Sequence, residues 1–536
     1  MVDILIIGGG GAGLSGALRA KEMGAKVLVV NKAYPTRAQT SMAQGGINAV
    51  LEDDKEKIKA HIEDTLRSSM GLGDEEMIRK MCENAKEGVL WLDRIGVPFS
   101  RTEDGKIAQR KLGGAKDKRA CYSQDYTGLK ILHTLYDQCV KENIEILNEK
   151  FLLNFIVEDG EVFGATFLDI REMKVEPIYA KSVIVATGGY AHLYHGFSTN
   201  SSHATGDGVA AALRAGGKLS NLEFVQFHPT ALKNSSILIS ESARGAGGKL
   251  LNQKGERFVD ELKTRDEVSR AVFREIEKGN EVFLDIRHLG EEFIEENLPQ
   301  ERKLAIFYEG IDPIKDLIPI KPAAHYTMGG IAVNRDLQSS IRGLFAIGEA
   351  SEAMTHGANR LGGNSLLELV VFSKDAVRNA YEFAKKRDSF KEPKEQIKKD
   401  ENFLNAVYYL PNKIDFYEKR EMIGKILYQN CGVFREDINL KAALSYVRQA
   451  QKELPFMGIS DKSRVYNTNL VEFIEFGNML ELSEALLVAA ISRRESRGAH
   501  FREDFPKSDK SYEARSIIWK EEGVICGDFV KVGNEI

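Results

Sequence analysis

Short apolar runs that lead into glycines recur along this chain and predict the strands of a buried sheet. The first run covers residues 2–7 and leads into Gly-Gly-Gly-Gly-Ala-Gly at 8–13, after which a helical pattern begins. A second run covers residues 26–30, and two later runs cover residues 182–187 and 343–347. Fully apolar runs of this length are typical of parallel strands that are covered on both faces. The pattern therefore predicts an α/β sheet whose strands are separated by long insertions.

Three other stretches depart from this pattern. Residues 480–491 are mostly apolar and predict a largely buried helix. Residues 385–402 are strongly charged and predict a linker or an exposed helix. Residues 230–324 interrupt the succession of strands and glycines. The chain is therefore expected to contain more than one domain.

Composition limits the classes of protein to which the chain can belong. Its 536 residues suit two to four domains, and its 43% hydrophobic and 29% charged residues are typical of a globular protein. The net charge of -5 argues against a nucleic-acid-binding surface. No window reaches the roughly 20 apolar residues of a membrane helix. Because the first apolar run starts at Val2, we expect no signal peptide and a cytoplasmic location.

The cysteines predict free thiols rather than a cluster or a disulfide framework. There are five of them, an odd number, and no Cys-x-x-Cys pair occurs. We therefore expect no iron–sulfur cluster and no other metal site within this chain.

The glycine-rich segment at 8–13 predicts a dinucleotide-binding turn. Gly8, Gly10 and Gly13 fit Gly-x-Gly-x-x-Gly between a strand and a helix. In this motif the glycines allow a tight turn, close approach of a pyrophosphate and close packing of helix on strand. The helix N-terminus then offers free N–H groups to the phosphates. The position where an acidic residue would bind the ribose diol is Asn31, an uncharged acceptor.

The cofactor is predicted to be larger than NAD. The runs at 182–187 and 343–347 return to the sheet that contains the glycine-rich turn, so three distant segments are expected to contact one ligand. FAD has a footprint of that extent, and we therefore expect FAD.

Seven motifs in fixed order give the chain a specific family resemblance. They are Tyr-Pro-Thr-Arg at 34–37, Ala-Gln-Gly-Gly at 43–46, Thr-Gly-Asp-Gly at 205–208, Phe-His-Pro-Thr at 227–230, His-Tyr-Thr-Met-Gly-Gly at 325–330, Gly-Ala-Asn-Arg-Leu-Gly-Gly-Asn-Ser-Leu-Leu at 357–367 and Ser-Arg-Gly-Ala-His at 496–500. From residue 1 to about residue 510, the chain resembles the flavoprotein subunit of succinate dehydrogenase and fumarate reductase.

The resemblance implies a discontinuous FAD-binding Rossmann-like domain with further domains attached, in the α/β class. The parts expected are FAD-binding residues 1–229, an inserted α+β capping domain at 230–324, FAD-binding residues 325–384, a helical domain at 385–500 and a C-terminal extension at 501–536.

The resemblance also implies a site for fumarate or succinate. His228 and Ser240, which stands where the family usually has Thr, would hold one carboxylate. His325 and Arg360 would hold the other, because a guanidinium matches a carboxylate bidentately. These positions imply a clamp for a dicarboxylate.

A proton relay is implied by three further positions. Arg265 matches the family's proton donor, and Glu241 and Arg244 match the relay that supplies it. Since a free arginine is a very weak acid, Arg265 needs such a relay.

The positions expected to bind FAD lie in the glycine-rich turn, in the later strand ends and in the matching motifs. They are Gly8, Gly10, Gly11, Ala12, Gly13, Asn31, Lys32, Thr40, Ser41, Gln44, Gly45, Gly46, Ala186, Thr187, Gly188, Asp207, Glu349, Arg360, Asn364, Ser365 and Leu366. The segment at 364–367 is expected to open a helix whose positive end faces the flavin.

Departures from the family pattern change two expectations. Many members carry a flavin-linked histidine where this chain has Gln39, so we expect non-covalent FAD and a bias toward fumarate reduction. Ala246 replaces a family glutamate, and Leu112 in a Lys-Leu-Gly-Gly segment is expected to line the site. These last two changes bear on which substrate is used.

Two alternative functions and several partners stay open from the sequence. L-aspartate oxidase shares the frame, but usually has Arg-Leu-Ala-Ser-Asn where this chain has Arg-Leu-Gly-Gly-Asn at 360–364. An electron-transfer subunit without its own substrate is the other alternative. The resemblance implies an iron–sulfur partner subunit and, through it, a membrane anchor or a thiol-oxidising subunit; no nucleic-acid partner is expected.

Overall fold

The structure is a computed structural model that describes residues 1–387 and 390–534. Its strands, in chain order, are β1 (Val2–Ile7), β2 (Val27–Val30), β3 (Ile47–Asn48), β4 (Gln109–Arg110), β5 (Ala120–Cys121), β6 (Glu145–Leu147), β7 (Lys150–Glu158), β8 (Glu161–Asp169), β9 (Lys174–Val185), β10 (Leu219–Ser220), β11 (Val225–Leu232), β12 (Lys249–Asn252), β13 (Val282–Asp285), β14 (Ile318–Thr327), β15 (Gly330–Ala332), β16 (Leu344–Ala346), β17 (Ser351–Glu352), β18 (Ala514–Glu521) and β19 (Val524–Lys531).

The α-helices connect and cover these strands. They are α1 (Gly11–Glu22), α2 (Lys55–Ser69), α3 (Glu75–Glu83), α4 (Ala85–Arg94), α5 (Thr127–Lys141), α6 (Asp207–Arg214), α7 (Glu241–Gly245), α8 (Arg265–Glu277), α9 (Glu291–Asn297), α10 (Pro299–Glu309), α11 (Asn364–Lys385), α12 (Glu395–Tyr409), α13 (Phe416–Asn430), α14 (Asp437–Glu453) and α15 (Thr468–Ser492).

The main sheet has the strand order β6-β2-β1-β9-β8-β7, with β16 also paired to β9. β1 runs parallel to β2 and to the second half of β9, in the register Ile6 opposite Val29 and Ile184. The first half of β9 pairs antiparallel with β8, so this long strand joins a parallel sheet to an antiparallel meander. The predicted runs at 2–7, 26–30, 182–187 and 343–347 thus lie side by side, because each is apolar enough to be buried on both faces.

Residues 225–327, which include the expected capping domain at 230–324, form a four-stranded antiparallel sheet in the order β11-β14-β13-β12 with α7 to α10 packed around it, and this part is called the capping domain. It has a hydrophobic core of its own that includes Leu232, Val268 and Leu284. β11 and β14 are also the strands that enter and leave this domain, and they pair with each other in antiparallel fashion.

The helical part of the chain consists of α12 to α15, and residues 514–531 return to the body of the protein. α15 is capped by Asn467, whose side chain accepts the Leu470 N–H at 2.8 Å, and it buries most of its length. This confirms the buried helix predicted at 480–491. The β18–β19 hairpin adds to β10 and β15 in a five-stranded sheet, with Leu219 opposite Ile518.

Two of the predicted segments contain residues that lie outside the described part of the chain. α12 begins inside the charged stretch at 385–402, whose residues 388–389 lie outside the described part. Residues 535–536 of the expected C-terminal extension do so as well. Among the residues described, no helix is both long and apolar enough to cross a membrane. Four of the cysteines are buried free thiols, and Cys526 is partly exposed.

Candidate active site

A large cavity lies between the main sheet and the capping domain. Its walls include residues of the glycine-rich turn at one end and polar residues of the capping domain at the other. Most of the positions predicted from sequence line it: Gly8, Gly10, Gly11, Ala12, Asn31, Lys32, Thr40, Gln44, Gly45, Gly46, Ala186, Thr187, Gly188, Asp207, His228, Ser240, Glu241, Arg265, His325, Glu349, Arg360, Ser365 and Leu366. Four predicted positions do not line it: Gly13, Ser41, Arg244 and Asn364.

The glycine-rich turn is shaped by two close backbone approaches. Gly8 has φ of +114°, and a Cβ atom there would lie 2.1 Å from the Ala186 carbonyl oxygen. A Cβ atom on Gly13 would lie 1.8 Å from the Gly8 carbonyl oxygen. Gly10 precedes α1 and gives it no side-chain cap, although the Gly11 N–H donates to the Thr40 hydroxyl at 3.0 Å. Gly13 thus shapes the turn from outside the cavity and leaves a helix N-terminus suited to a pyrophosphate.

The residues after β2 make different contacts with the cavity wall. The Asn31 Oδ1 atom accepts the Gly9 N–H at 3.2 Å. Lys32 Nζ lies 2.6 Å from Asp207 Oδ2 and 2.7 Å from Glu475 Oε1. Burial opposes the charge on Lys32, but these two carboxylates outweigh it and raise its pKa. Lys32 and Asp207 therefore fix each other beside the cavity.

Helix α11 begins at Asn364, as predicted, but the side chain of Asn364 is in a buried polar cluster. Its Oδ1 accepts from Asn48 Nδ2 at 2.8 Å and lies 3.0 Å from His61 Nε2, and its Nδ2 donates to Thr65 Oγ1 at 3.0 Å. Its neighbours Gly363, Ser365 and Leu366 line the cavity instead. The direct contacts of Asn364 therefore anchor the start of α11 to α2.

Within the described part of the chain, several buried polar atoms at the nucleotide end have no hydrogen-bond partner. Both polar atoms of the Gln44 amide and the Thr187 hydroxyl are in this state, and both residues line the cavity. Buried polar groups in folded proteins are normally hydrogen-bonded, so these atoms fit a polar ligand. Glu349 also lines the cavity and accepts the Thr327 N–H at 2.9 Å. Burial raises the pKa of Glu349 to about 7. The residues present thus fit a dinucleotide cofactor such as FAD.

Two histidines from neighbouring strands face each other at the capping end. The rings of His228 on β11 and His325 on β14 have centroids 5.0 Å apart. Register changes beside both residues: Gln226 pairs with Tyr326 but Phe227 pairs with Ala324, which leaves His325 as an extra residue on its strand. Such a bulge redirects a side chain. It lets His325 lie on the same side as His228.

The histidines are held in the neutral form. Burial, together with the positive charge of Arg265, lowers the pKa of His228 and of His325 well below 6.5. The Thr199 hydroxyl lies 2.7 Å from His325 Nδ1 and orients that ring. Each neutral imidazole has one N–H to donate and one nitrogen that accepts.

Three guanidinium groups and one carboxylate complete this end of the site. Glu241 Oε2 accepts from Arg265 Nη2 at 2.8 Å, and Glu241 Oε1 lies 3.5 Å from Arg244 Nη2. Burial opposes ionisation of Glu241, but Arg265 and Arg244 lower its pKa. Burial and the charge of Arg265 lower the pKa of Arg360 to about 10, so it stays protonated at neutral pH. The cluster has an excess of positive charge beside the cavity.

Sequence reasoning missed several residues that shape the site. The Arg360 guanidinium lies 4.1 Å from the centroid of the Tyr326 ring, a cation–π contact. Gln226 contacts both Arg265 and Arg360. Its position two residues before His228 in a strand is the one signal that could have indicated it. Leu112, which was expected from the sequence to line the site, does line the cavity, as does Gln39.

Comparisons with known proteins cover almost the whole chain. The model of an FAD binding domain matches residues 3–366, and the model of the fumarate reductase flavoprotein C-terminus matches residues 420–526. The succinate dehydrogenase flavoprotein subunit of Rickettsia conorii is 39% identical, over 96% of this chain and 92% of that protein. The 8-methylmenaquinol:fumarate reductase flavoprotein subunit of Wolinella succinogenes is also 39% identical, over 95% and 86%.

A solved structure agrees with these matches. A variant of the FrdA chain of Escherichia coli quinol fumarate reductase has a TM-score of 0.96 and 34% identity, covering 100% of this chain and 97% of that one. The predicted family, the α/β FAD-binding fold and the oxidoreductase class are confirmed. The chain belongs to the family of FAD-dependent flavoprotein subunits of succinate dehydrogenases and fumarate reductases.

Proposed function

We propose that this chain binds FAD without a covalent bond and interconverts fumarate and succinate, with fumarate reduction favoured. The observation that carries the proposal is the cluster of Arg265, Arg360 and Glu241 at the capping end of the cavity, with Arg244 behind Glu241. Buried positive charge in excess favours a dianionic ligand. Fumarate and succinate are such dianions.

The substrate is clamped at both of its carboxylates. His228 and Ser240 bind one carboxylate by N–H and O–H donors, and His325 and Arg360 bind the other. The Nε atom of Arg360 is buried and has no acceptor among the residues that the structure describes, which supports a role in ligand binding. An L-aspartate substrate would bring its ammonium group close to these guanidinium groups, so like-charge repulsion disfavours the aspartate oxidase alternative.

Proton delivery is assigned to the arginine–glutamate cluster. Fumarate takes up one hydride and one proton to give succinate, and FAD, when bound, supplies hydride chemistry. Arg265 gives the proton to the substrate carbon and recovers it through Glu241, which contacts Arg244 on its other oxygen. The buried carboxylate makes the transfer between two weak acids feasible because it stabilises the positive charge on either side.

Gln39 supports non-covalent attachment of the flavin. Its Oε1 atom accepts the Ser201 N–H at 2.7 Å, and an amide has no nucleophilic ring nitrogen. Denaturation in acid or detergent should release all of the flavin from the polypeptide. Flavin fluorescence that stays with the denatured chain would contradict this part of the proposal.

Electrons reach the flavin from a partner. The chain acts with an iron–sulfur subunit and, through it, with a membrane anchor or a thiol-oxidising subunit, so it is a cytoplasmic protein that becomes membrane-associated only through partners. Relatives that are named as flavoprotein subunits support the presence of partner subunits.

Steady-state turnover on the purified protein tests the function. Fumarate reduction is measured with a reduced viologen dye, and succinate oxidation is measured with an oxidised dye on the same preparation. The expected result is turnover in both directions, faster for fumarate. No turnover of either, or flavin bleaching by L-aspartate, would overturn the proposal.

A further inference from the structure

We propose that Gln226 is a positioning residue that holds the guanidinium groups of Arg265 and Arg360 side by side above the substrate. A buried chain through Asn359 to Asp266 fixes the orientation of its amide. This inference rests on the proposed function, because it concerns the same dicarboxylate site.

The side-chain oxygen of Gln226 accepts hydrogen bonds from two guanidinium groups, those of Arg265 and Arg360. Gln226 is fully buried on β11, and its Oε1 atom accepts from Arg265 Nη1 at 3.1 Å and from Arg360 Nη2 at 3.2 Å. No other side-chain acceptor within the described residues is hydrogen-bonded to the Arg360 guanidinium. The proton donor and the carboxylate-binding arginine are thereby tied to the same atom.

The orientation of the amide follows from a chain of donors and acceptors that starts at Asp266. A carboxylate can only accept, so the side chain of Asn359 must turn its Nδ2 toward Asp266 Oδ1, 3.1 Å away. Asn359 Oδ1 then faces Gln226 Nε2 at 2.8 Å, and the same nitrogen donates to the Arg360 carbonyl at 2.8 Å. The Gln226 oxygen is left facing the two guanidinium groups. Asp266 therefore supports, through Asn359, the same orientation of Gln226 that the accepting Arg360 carbonyl and the two donating guanidinium groups require.

A neutral acceptor suits this place better than a charged one. Arg265 and Arg360 repel each other, and burial and this repulsion lower the pKa of Arg360. A glutamate in place of Gln226 would hold both groups but would cancel one positive charge that a dianion needs. An apolar residue would leave the two cations without their shared acceptor. Glutamine keeps the geometry and the full charge together.

Two substitutions at Gln226 should move the pH profile in opposite directions. In Gln226→Met the repulsion between Arg265 and Arg360 is no longer offset, so their protonated forms are less stable. The fall of kcat for fumarate reduction at alkaline pH, called the alkaline limb, should therefore move to lower pH. Gln226→Glu adds a negative charge beside Arg265, so that limb should move to higher pH. A Gln226 that only fills the core would lower stability in both variants and leave the limb where it is. Equal or unshifted limbs would therefore overturn the proposal.

Turnover and binding should change differently in the two variants. Gln226→Met should lower kcat by about tenfold or more, because small displacements of reacting groups are costly. Gln226→Glu should weaken binding of malonate, an unreactive dicarboxylate followed by the change in flavin absorbance. Gln138→Met is the matched control, since Gln138 is partly buried on α5 and donates to the Ile95 carbonyl away from the cavity. It should change neither quantity.

Asp266→Asn tests the chain through Asn359. In that background the loss caused by Gln226→Met should shrink by about threefold or more, because both changes act on the same amide. If the losses of kcat caused by the two substitutions simply multiply in the double variant, the link from Asp266 to Gln226 is refuted. If Gln226→Met does not yield folded protein, Gln226→Glu takes its place in the cycle because it keeps an acceptor oxygen.

Failure of this inference and failure of the proposed function give different results. A wild-type protein that turns over no fumarate refutes the function, and malonate binding then still reports on Gln226. If the wild-type protein is active and both Gln226 variants have the same kcat, pH profile and malonate affinity as it, the role of Gln226 is refuted while the proposed function stands.

Discussion

Glu301 lies directly behind Ser240, whose backbone N–H it accepts at 3.1 Å on Oε1. The other oxygen of this fully buried carboxyl group has no partner in residues 1–387 and 390–534, and the Glu301 N–H itself donates to Asp125 Oδ2 at 3.1 Å. Burial and the nearby Asp125 carboxyl raise the pKa of Glu301 well above its usual value, and burial raises the pKa of Asp125 to about 6. Two acidic groups thus join α10 of the capping domain to the flavin domain.

We expect this pair to make the protein less stable as pH rises. A carboxyl group whose pKa is higher in the folded state than in the unfolded state binds more protons when folded, so its stabilising effect is present below the unfolded pKa. That effect is lost as pH rises from about 4 through the folded values, which is about 6 for Asp125. Glu301→Gln keeps the acceptor for Ser240 and removes one ionisable group. It should raise the free energy of unfolding by about 1–3 kcal/mol at pH 8 and change it little at pH 5.

Urea unfolding at the two pH values measures this effect. Glu292→Gln is the control, because Glu292 is exposed on the neighbouring α9 and its loss should not alter the pH dependence. If Glu301→Gln does not raise the free energy of unfolding at pH 8, the carboxyl groups of Asp125 and Glu301 ionise without destabilising the protein, which contradicts the prediction.

Two glycines on one helix should respond very differently to a methyl group. Gly13→Ala places a Cβ atom 1.8 Å from the Gly8 carbonyl oxygen, so α1 must move away from the turn. We expect the purified protein to lose its FAD. Gly16→Ala brings a Cβ atom no closer than 3.4 Å to Ile6 Cδ1 and should keep the flavin. The ratio of flavin to protein absorbance measures both, and equal flavin content in the two variants would contradict this reading of the turn.

Dicarboxylate binding should not depend on histidine protonation near neutral pH. The pKa of His228 is well below 6.5 because burial and Arg265 disfavour the charged ring, so the neutral form is present throughout about pH 6–8. His228→Gln should weaken malonate binding and leave the shape of its pH profile over that range unchanged. Titration of malonate against flavin absorbance measures both. Loss of an inflection in the variant would mean that His228 does titrate there.

Asn364 and Ser365 should separate stability from cofactor binding. Asn364→Leu leaves Asn48, His61 and Thr65 without their shared partner, and we expect a loss of about 2–3 kcal/mol in the free energy of unfolding. Ser365→Ala changes a residue that lines the cavity, and it should weaken FAD binding with little loss of stability. Unfolding curves of the apoproteins and FAD titration measure the two effects. The reverse pattern would restore Asn364 to the cofactor site.

The sequence predicts best what is local. The glycine-rich turn, the strand runs and the start of α11 depend on residues that are neighbours in the chain, so their patterns are visible without the fold. The side chain of Asn364 shows the limit, because nothing near it in sequence reveals that Asn48 and His61 lie against it. Gln226 and Arg360 are 134 positions apart, and only the packing of β11 on the 357–363 segment brings them together.

The sequence also does not reveal the buried acidic pair of Asp125 and Glu301 between the flavin domain and the capping domain. Asp125 and Glu301 lie in different domains, and a single Glu in a charged helix is normally solvent-exposed. Its burial is decided by how the N-terminus of α10 meets the flavin domain. The catalytic and binding roles of seven residues stay predictions, and the structure adds contacts for them. These residues are His228, Ser240, Glu241, Arg244, Arg265, His325 and Arg360.

The pairing of β18 with β10 sets an order of events during translation. β10 leads within a few residues to β11, which carries the glutamine and histidine of the substrate pocket, yet its neighbour β18 is synthesised long afterwards. While the ribosome still holds residues 514–531, β10 remains an unpaired edge on that side. The wall of the cavity, at its nucleotide end and at its substrate end alike, is complete by Leu369, so all of its residues are synthesised before β18 can cover this edge.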